Sequence, residues 1–281
     1  QGEVHLIWDT MKDIGLENYG ELEITAQAAL ARMAEEEEEP KEPEDAPEPL
    51  CFLAMENAGL AVTLNGDFKE SPVLEYSTDG VKWGSVKFGA AIKVYAKEKV
   101  YLRGLNPKGL SFGDPAYVTI ETKGKFEVSG DVMSLIDYRT KVTEIPNEYC
   151  FFRLFYNSSI TSAPKLSASV LKDCCYWEMF YGSESLLAGP DLVAEFVPPA
   201  AYCLMFANCT SLSSVGCGAN NVEFGDAFKS WLDNVMPKGV IYIIGNGDPV
   251  LLEKLNALPP DWGFGKPLKA DTLEELKAEA K

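Results

Sequence analysis

Between positions 149 and 215 the alternation of apolar and polar residues spells the same block three times. Tyr149-Cys150-Phe151-Phe152-Arg153-Leu154-Phe155-Tyr156-Asn157 aligns with Cys174-Cys175-Tyr176-Trp177-Glu178-Met179-Phe180-Tyr181-Gly182 and with Ala200-Ala201-Tyr202-Cys203-Leu204-Met205-Phe206-Ala207-Asn208. Downstream of each block Ile160, Leu186 and Leu212 fall 26 residues apart, as do Pro164 and Pro190, and Leu166 and Leu192. A period of this size predicts a solenoid, whose units bury their apolar faces only by stacking. The columns that stay alike are Phe151/Tyr176/Tyr202, Leu154/Met179/Met205 and Phe155/Phe180/Phe206. Their offsets of 0, 3 and 4 predict one inward face of a short helical turn. The drifting columns Phe152/Trp177/Cys203, Arg153/Glu178/Leu204 and Tyr156/Tyr181/Ala207 are expected to point outward.

The pattern elsewhere is different. Residues 6–33 carry Ile7, Met11 and Ile14, then Ala26, Ala29, Leu30 and Met33, at helical spacing. From 50 to about 126 the period shortens to two, as in Leu60-Ala61-Val62-Thr63-Leu64, and the runs are punctuated by turn residues. Asn65-Gly66 predicts a hairpin, and Asp79-Gly80 a second one between Leu74-Glu75-Tyr76-Ser77 and Val81-Lys82-Trp83. These runs read as a small antiparallel β-sandwich. After the repeats, 224–232 reads as helical, 239–244 as a strand ending in the tight turn Gly245-Asn246-Gly247, and 250–255 as a helix. The expected fold class is therefore α+β. It comprises an N-terminal helical segment (1–34), a linker (35–49), a β-sandwich-like domain (50–145), a short leucine-rich-repeat-like solenoid (146–215), a C-terminal α/β cap (216–264) and a charged tail (265–281).

The repeat resembles that of the BspA-like leucine-rich-repeat surface proteins of gut and oral bacteria and their phages. The resemblance is densest where Tyr202 to Phe206 runs on through Ala207-Asn208-Cys209-Thr210-Ser211-Leu212. The family's cysteine column is interrupted here by Ser158, Ser183 and Ala201. Leu74-Glu75-Tyr76-Ser77-Thr78-Asp79-Gly80, Lys99-Val100-Tyr101-Leu102-Arg103-Gly104 and Gly130-Asp131-Val132-Met133 are similar to the β-domain that precedes such repeats. Trp231-Leu232-Asp233-Asn234-Val235 and Pro260-Asp261-Trp262 are similar to the cap that follows them. Together the similar regions span about 49–264. What the resemblance implies is a non-enzymatic recognition or adhesion protein, at a cell surface or outside the cell, that binds host proteins or surface components.

Charge narrows the partners. With 25 basic and 43 acidic residues the net charge is −18, which argues against nucleic acid or an anionic membrane as partner, since phosphate binding needs clustered Lys and Arg. No run approaches the roughly 20 apolar residues of a membrane-spanning helix, so no direct membrane insertion is expected. No leader pattern is evident, and the opening Gln1 fits a processed form. The linker holds nine acids, one Lys and four prolines, a composition that stays solvated rather than forming a core.

Seven cysteines read as buried thiols. A disulfide such as Cys203 with Cys209 stays open for an exported chain, while zinc is disfavoured by the lack of a C-x-x-C pair. The only histidine, His5, lies beyond the linker, which argues against Ser-His or Cys-His catalysis. No cofactor fingerprint, metal site or singled-out carboxylate pair appears, so the chain is expected not to be an enzyme. The candidate ligand-binding strip is Phe152, Arg153, Tyr156, Trp177, Glu178 and Tyr181. Aromatics with Arg dominate recognition hot spots, and equivalent columns of stacked repeats lie side by side. The partner expected there is a protein or glycan on a cell surface. Residues 6–33 are a second candidate docking element. The alternative is a phage virion structural or host-attachment protein anchored by those helices.

Overall fold

Among the described residues eight short strands precede the repeats. They are β1 (Leu50–Ala54), β2 (Ala58–Gly66), β3 (Leu74–Ser77), β4 (Gly84–Ser85), β5 (Ile92–Val94), β6 (Lys99–Gly104), β7 (Ala116–Lys123) and β8 (Phe126–Ser129). The computed structural model describes residues 46–223, 226–255 and 258–265, all within one unit that starts at Glu44. The strands pair antiparallel into two sheets, one in the order β4-β3-β6-β1-β8 and the other β5-β2-β7. Alternation explains the packing, since Leu50, Phe52 and Ala54 of β1 and Val118 and Ile120 of β7 turn inward to near-zero exposure. The intervening Tyr117 is only half-buried and Glu121 is exposed.

Turn chemistry is realised at one of the two expected hairpins. Ser77, Asp79 and Gly80 join β3 to β4, with Tyr76 opposite Gly84, so the second strand begins one residue after Trp83. Asn65-Gly66 makes no hairpin. β2 pairs with β7 and β5, and the chain leaves it for the other sheet. Gly66 has φ +83°, and a Cβ there would stand 2.2 Å from the Pro115 carbonyl oxygen, so glycine is needed for close approach at the strand end.

The repeats form coils without helix. In each block the backbone turns left-handed at every fourth residue, at Tyr149, Arg153 and Asn157, then Cys174, Glu178 and Gly182, then Ala200, Leu204 and Asn208. Amide groups alternate in direction. Phe152, Leu154 and Tyr156 donate three residues back, to Tyr149, Phe151 and Arg153, while Phe151, Arg153 and Phe155 donate to Cys175, Trp177 and Met179 of the next coil. Half of the amides thus hold the turn and half hold the stack. A helix would have spent all of them internally. The expected helical turn is corrected accordingly, although Phe151, Leu154, Phe155 and their equivalents do face the core at 0–1% exposure. Rings of one column stack almost parallel: Phe155 on Phe180 at 5.3 Å and 2°, and Phe180 on Phe206 at 5.5 Å and 3°.

On the opposite side of each coil runs a short parallel strand. These are β9 (Ala188–Leu192), β11 (Ser214–Cys217), β13 (Gly239–Ile243) and β14 (Trp262–Gly265), in the order β14-β13-β11-β9. β10 (Phe196–Val197) and β12 (Asn221–Val222) form a parallel pair beside them. Ser214 lies opposite Val240, so the pairing register is the 26-residue period itself.

Coil geometry continues past 215. Ser230 and Asn234 are left-handed like Leu204 and Asn208, and Tyr202, Leu204, Phe206 and Asn208 donate to Ala227, Lys229, Trp231 and Asp233. Hence 226–234 is a fourth turn segment, not the expected helix. Among the described residues one α-helix, α1 (Pro249–Lys254), capped by Asp248 through Val250 N–H, leads toward β14.

Described residues are therefore mostly β, with one six-residue α-helix and a 3₁₀ turn at Val132–Leu135, which overturns the α+β class. Propensity for helix in the apolar columns yields to hydrogen bonding between coils. The N-terminal helical segment, most of the linker and all but one residue of the tail lie outside the described residues. The last linker residues are part of the body, since Glu48 accepts from Asp131 N–H and pairs with Lys165 at 3.1 Å.

Sandwich and coils share one core. Ser111 and Ile120 donate to the Cys150 and Leu154 carbonyls of the first coil, and Phe52 reaches Phe155 at 6.3 Å.

Candidate functional site

The seam where β7 meets the first coil gathers the drifting columns. Tyr117, outward on β7, meets Phe152 edge-on at 5.2 Å, and Phe152 meets Trp177 of the next coil at 6.1 Å. Tyr149 lies against both, stacked on Trp177 at 6.0 Å. Tyr156 stacks on Tyr181 at 5.1 Å and 7°. Arg153 stands among the rings, 4.6 Å from the centre of Phe152, 5.2 Å from Tyr156 and 5.5 Å from Tyr117.

The six candidate residues are thus brought together, but not all at the surface. Phe152 is buried beneath Tyr117 and Tyr149, and Glu178 is 9% exposed, while Arg153, Tyr156, Trp177 and Tyr181 are half-buried. The left-handed backbone at Arg153 and Glu178 sends these two side chains along the stack, where Arg153 Nε donates to Glu178 Oε2. Its Nη1 donates to Asp114 Oδ1 at 3.1 Å. Burial pulls the Arg153 guanidinium down, but the hydrogen bond and charge of Glu178 outweigh this and raise it above its ordinary value. The arginine is a fixed cation clamped between two carboxylates. Trp177 Nε1 is shut from solvent and, among the described residues, has no hydrogen-bond partner.

Asp114, Tyr117 and Tyr149 also belong to this surface and were not among the expected strip residues. Alternation along β7 puts Tyr117 on the outer face of its sheet, yet nothing in the spacing says that the sheet docks beside Phe152. Beside Tyr156 a cleft of about 350 Å³ opens between β7 and the coil.

The cysteines are inert by environment. All seven are free and buried. Burial pushes the Cys150 and Cys209 thiols up to about 12 and Cys203 up to about 11, far from a reactive thiolate. Cys209 occupies the column of Ser158 and Ser183, and Cys209 Sγ and Ser183 Oγ donate to the Phe180 and Phe155 carbonyls of the preceding coils at 3.0 and 2.8 Å. A serine replaces cysteine there without losing that bond. Among the described residues no three His, Cys, Asp or Glu side chains are grouped to hold a metal ion, and no helix is long and apolar enough to cross a membrane.

No family model, curated protein or solved structure matches the chain, so the geometry of the seam and the coil stack stands as the ground for function.

Proposed function

We propose that this is a non-enzymatic recognition or adhesion protein that binds a protein or glycan of a cell surface, and that it acts outside the cell. What supports this is the half-exposed surface of Tyr156, Trp177, Tyr181 and Arg153, fixed by ring stacking and by the Glu178 and Asp114 ion pairs rather than left as flexible side chains. Preorganised aromatics lose little entropy on binding, and Arg within them adds directional donors. The sequence resemblance to BspA-like surface proteins points to the same use. As a phage virion component the chain would expose the same surface and differ in its anchor at 6–33, which lies outside the described residues.

The test is binding of the intact chain to an array of glycans and extracellular-matrix proteins, compared with the Trp177→Ala, Tyr181→Ala double variant. Tyr181 is half-buried at the surface, so the variant should keep a cooperative thermal transition and lose at least about tenfold in affinity, as expected for removal of hot-spot aromatics. Equal binding by a folded double variant would sink the reading.

A further inference from the structure

On the sheet side of the stack, away from the aromatic seam, the parallel ladder loses its even register. Ser214 pairs with Ala188 but Gly216 with Asp191, so three steps along β9 run against two along β11. Such a bulge re-aims the side chains beyond it. Here it sets Asp191 beside Gly216, and Gly216 lies beside Tyr242 of β13, in one rung across three strands. Leu192, Cys217 and Ile241 are buried, so alternation puts Asp191, Gly216 and Tyr242 on the outer face.

A glycine in the middle of the rung leaves a trench between β9 and β13, whose backbones are two strand spacings, about 9.5 Å, apart. The trench has a volume of about 550 Å³. Asp191 leans into it, with Oδ1 2.0 Å from where a Cβ on Gly216 would stand, so a side chain at 216 would displace the carboxylate. Val193 and Ile244 continue the two walls. They stand two residues on from Asp191 and Tyr242, about 6.6 Å along the strands.

Charge in the trench is unbalanced. Asp191 is exposed and, among the described residues, neither oxygen of its carboxylate has a hydrogen-bond or ion-pair partner. Lys165, next to Asp191 across the Leu166–Leu192 bridge, turns its ammonium to Glu48 at 3.1 Å. Glu195, two residues past Val193, adds a second carboxylate to the same edge, where Asn220 and Asn246 donate to it at 3.1 and 2.8 Å. A free carboxylate followed by two aliphatic walls matches a long basic side chain, with its head at the acid and its methylene stem between the walls. Arginine suits it better than lysine, because its fork meets both carboxylate oxygens and its weaker hydration costs less beside apolar walls.

We propose that the trench over Gly216 binds an arginine side chain of a protein partner, with the guanidinium on Asp191 and the stem between Val193 and Ile244. This site is on another face of the stack from Tyr156, Trp177 and Tyr181 and stands independently of the recognition reading above.

Methyl NMR of the intact chain with a blocked pentapeptide, one arginine flanked by alanines, tests it. The peptide should shift the Val193 and Ile244 methyls with a millimolar dissociation constant. Its citrulline counterpart, which keeps the shape and lacks the charge, should bind at least about tenfold more weakly, and its lysine counterpart about threefold more weakly. Asp191→Asn, at an exposed position, should keep a cooperative thermal transition and lose at least about tenfold in affinity for the arginine peptide. Absence of shifts at both methyls overturns the proposal, as does unchanged affinity in a folded Asp191→Asn. Citrulline binding as tightly as arginine overturns it with no variant needed, so the test holds even if Asp191→Asn does not fold. Equal binding by the lysine peptide overturns the assignment to a guanidinium. Peptide binding that disappears in the Trp177→Ala, Tyr181→Ala double variant would place the peptide at the seam and overturn the trench.

Discussion

At its first coil the stack offers carbonyl oxygens, whereas at its fourth turn segment it offers N–H groups. Every backbone bond between turn segments runs the same way, from an amide of one coil to a carbonyl of the next, so the two ends cannot be closed by the same chemistry. The sandwich closes the beginning with donors, Ser111 and Ile120, bonded to the Cys150 and Leu154 carbonyls at 3.0 and 2.7 Å. At the other end Phe228, Ser230, Leu232 and Asn234 hold the positions whose equivalents, Tyr202, Leu204, Phe206 and Asn208, all donate onward. Among the described residues these four N–H groups have no acceptor. They face a cleft of about 620 Å³ whose far wall includes Leu255, Leu258, Pro259 and Pro260. A coil stack is thus polar like a strand edge, and a covering element must match the sign of the end that it meets.

The largest expected effect contrasts one apolar column at its two ends. Phe155→Ala removes a ring packed between Phe180 and Phe52, and should cost about 3–5 kcal/mol in denaturant unfolding. Leu232→Ala, the same column beside the open cleft, should cost about 2 kcal/mol, at the low end for such truncations because its surroundings already include free space. A reversed order would show that the fourth turn segment, not the first, is the better-packed end.

Hydrogen exchange sharpens the contrast. Amides of Phe228, Ser230, Leu232 and Asn234 should exchange at least about tenfold faster than those of Tyr202, Leu204, Phe206 and Asn208, since local opening is not needed to free them. Equal protection in the two rows would mean that an acceptor covers the end.

The smallest effect lies in the sandwich, away from both ends. Asp79 Oδ1 accepts from Lys82 N–H, Val81 N–H and Ser77 Oγ, which lowers its carboxyl from 3.8 to about 2. Because the folded value is depressed, this contribution is fully present above about pH 4 and is lost as pH falls through 2. Protection of the Val81 and Lys82 amides should decline over that window and become flat with pH in Asp79→Ala, while exchange at 228–234 stays unchanged. Acid loss that begins at the coil end would contradict this order.

How much of this was legible follows from which forces act locally. Phe151, Leu154 and Phe155 read correctly as inward, because burial depends on which residues are apolar and not on the backbone that carries them. Offsets of 0, 3 and 4 fit a helix and also a chain that turns left-handed every four residues. The discriminating signal was the column Asn157, Gly182 and Asn208, residue types that tolerate positive φ. The same register, 26 residues on from Tyr202, Met205, Phe206 and Asn208, finds Phe228, Trp231, Leu232 and Asn234, so the fourth turn segment was within reach. Asn65-Gly66 misled because a glycine needed for close approach looks the same as one needed for a turn. At the seam, Arg153 and Glu178 share one column and could be paired from sequence. Asp114 and Tyr117 could not, since their nearness to Arg153 depends on how a sheet docks on a coil 36 positions later in the chain than Tyr117.

The left-handed residues carry a consequence for how the protein comes to be folded. Each non-glycine residue in that conformation costs about 1–2 kcal/mol, and a lone block would bear this with half of its amides unbonded. No coil can therefore start the stack by itself. The sandwich precedes the coils in the chain, emerges from the ribosome first, and presents Ser111 and Ile120 as a template for the first block. Each completed coil then offers the next a template, so the expected order of assembly follows the order of synthesis.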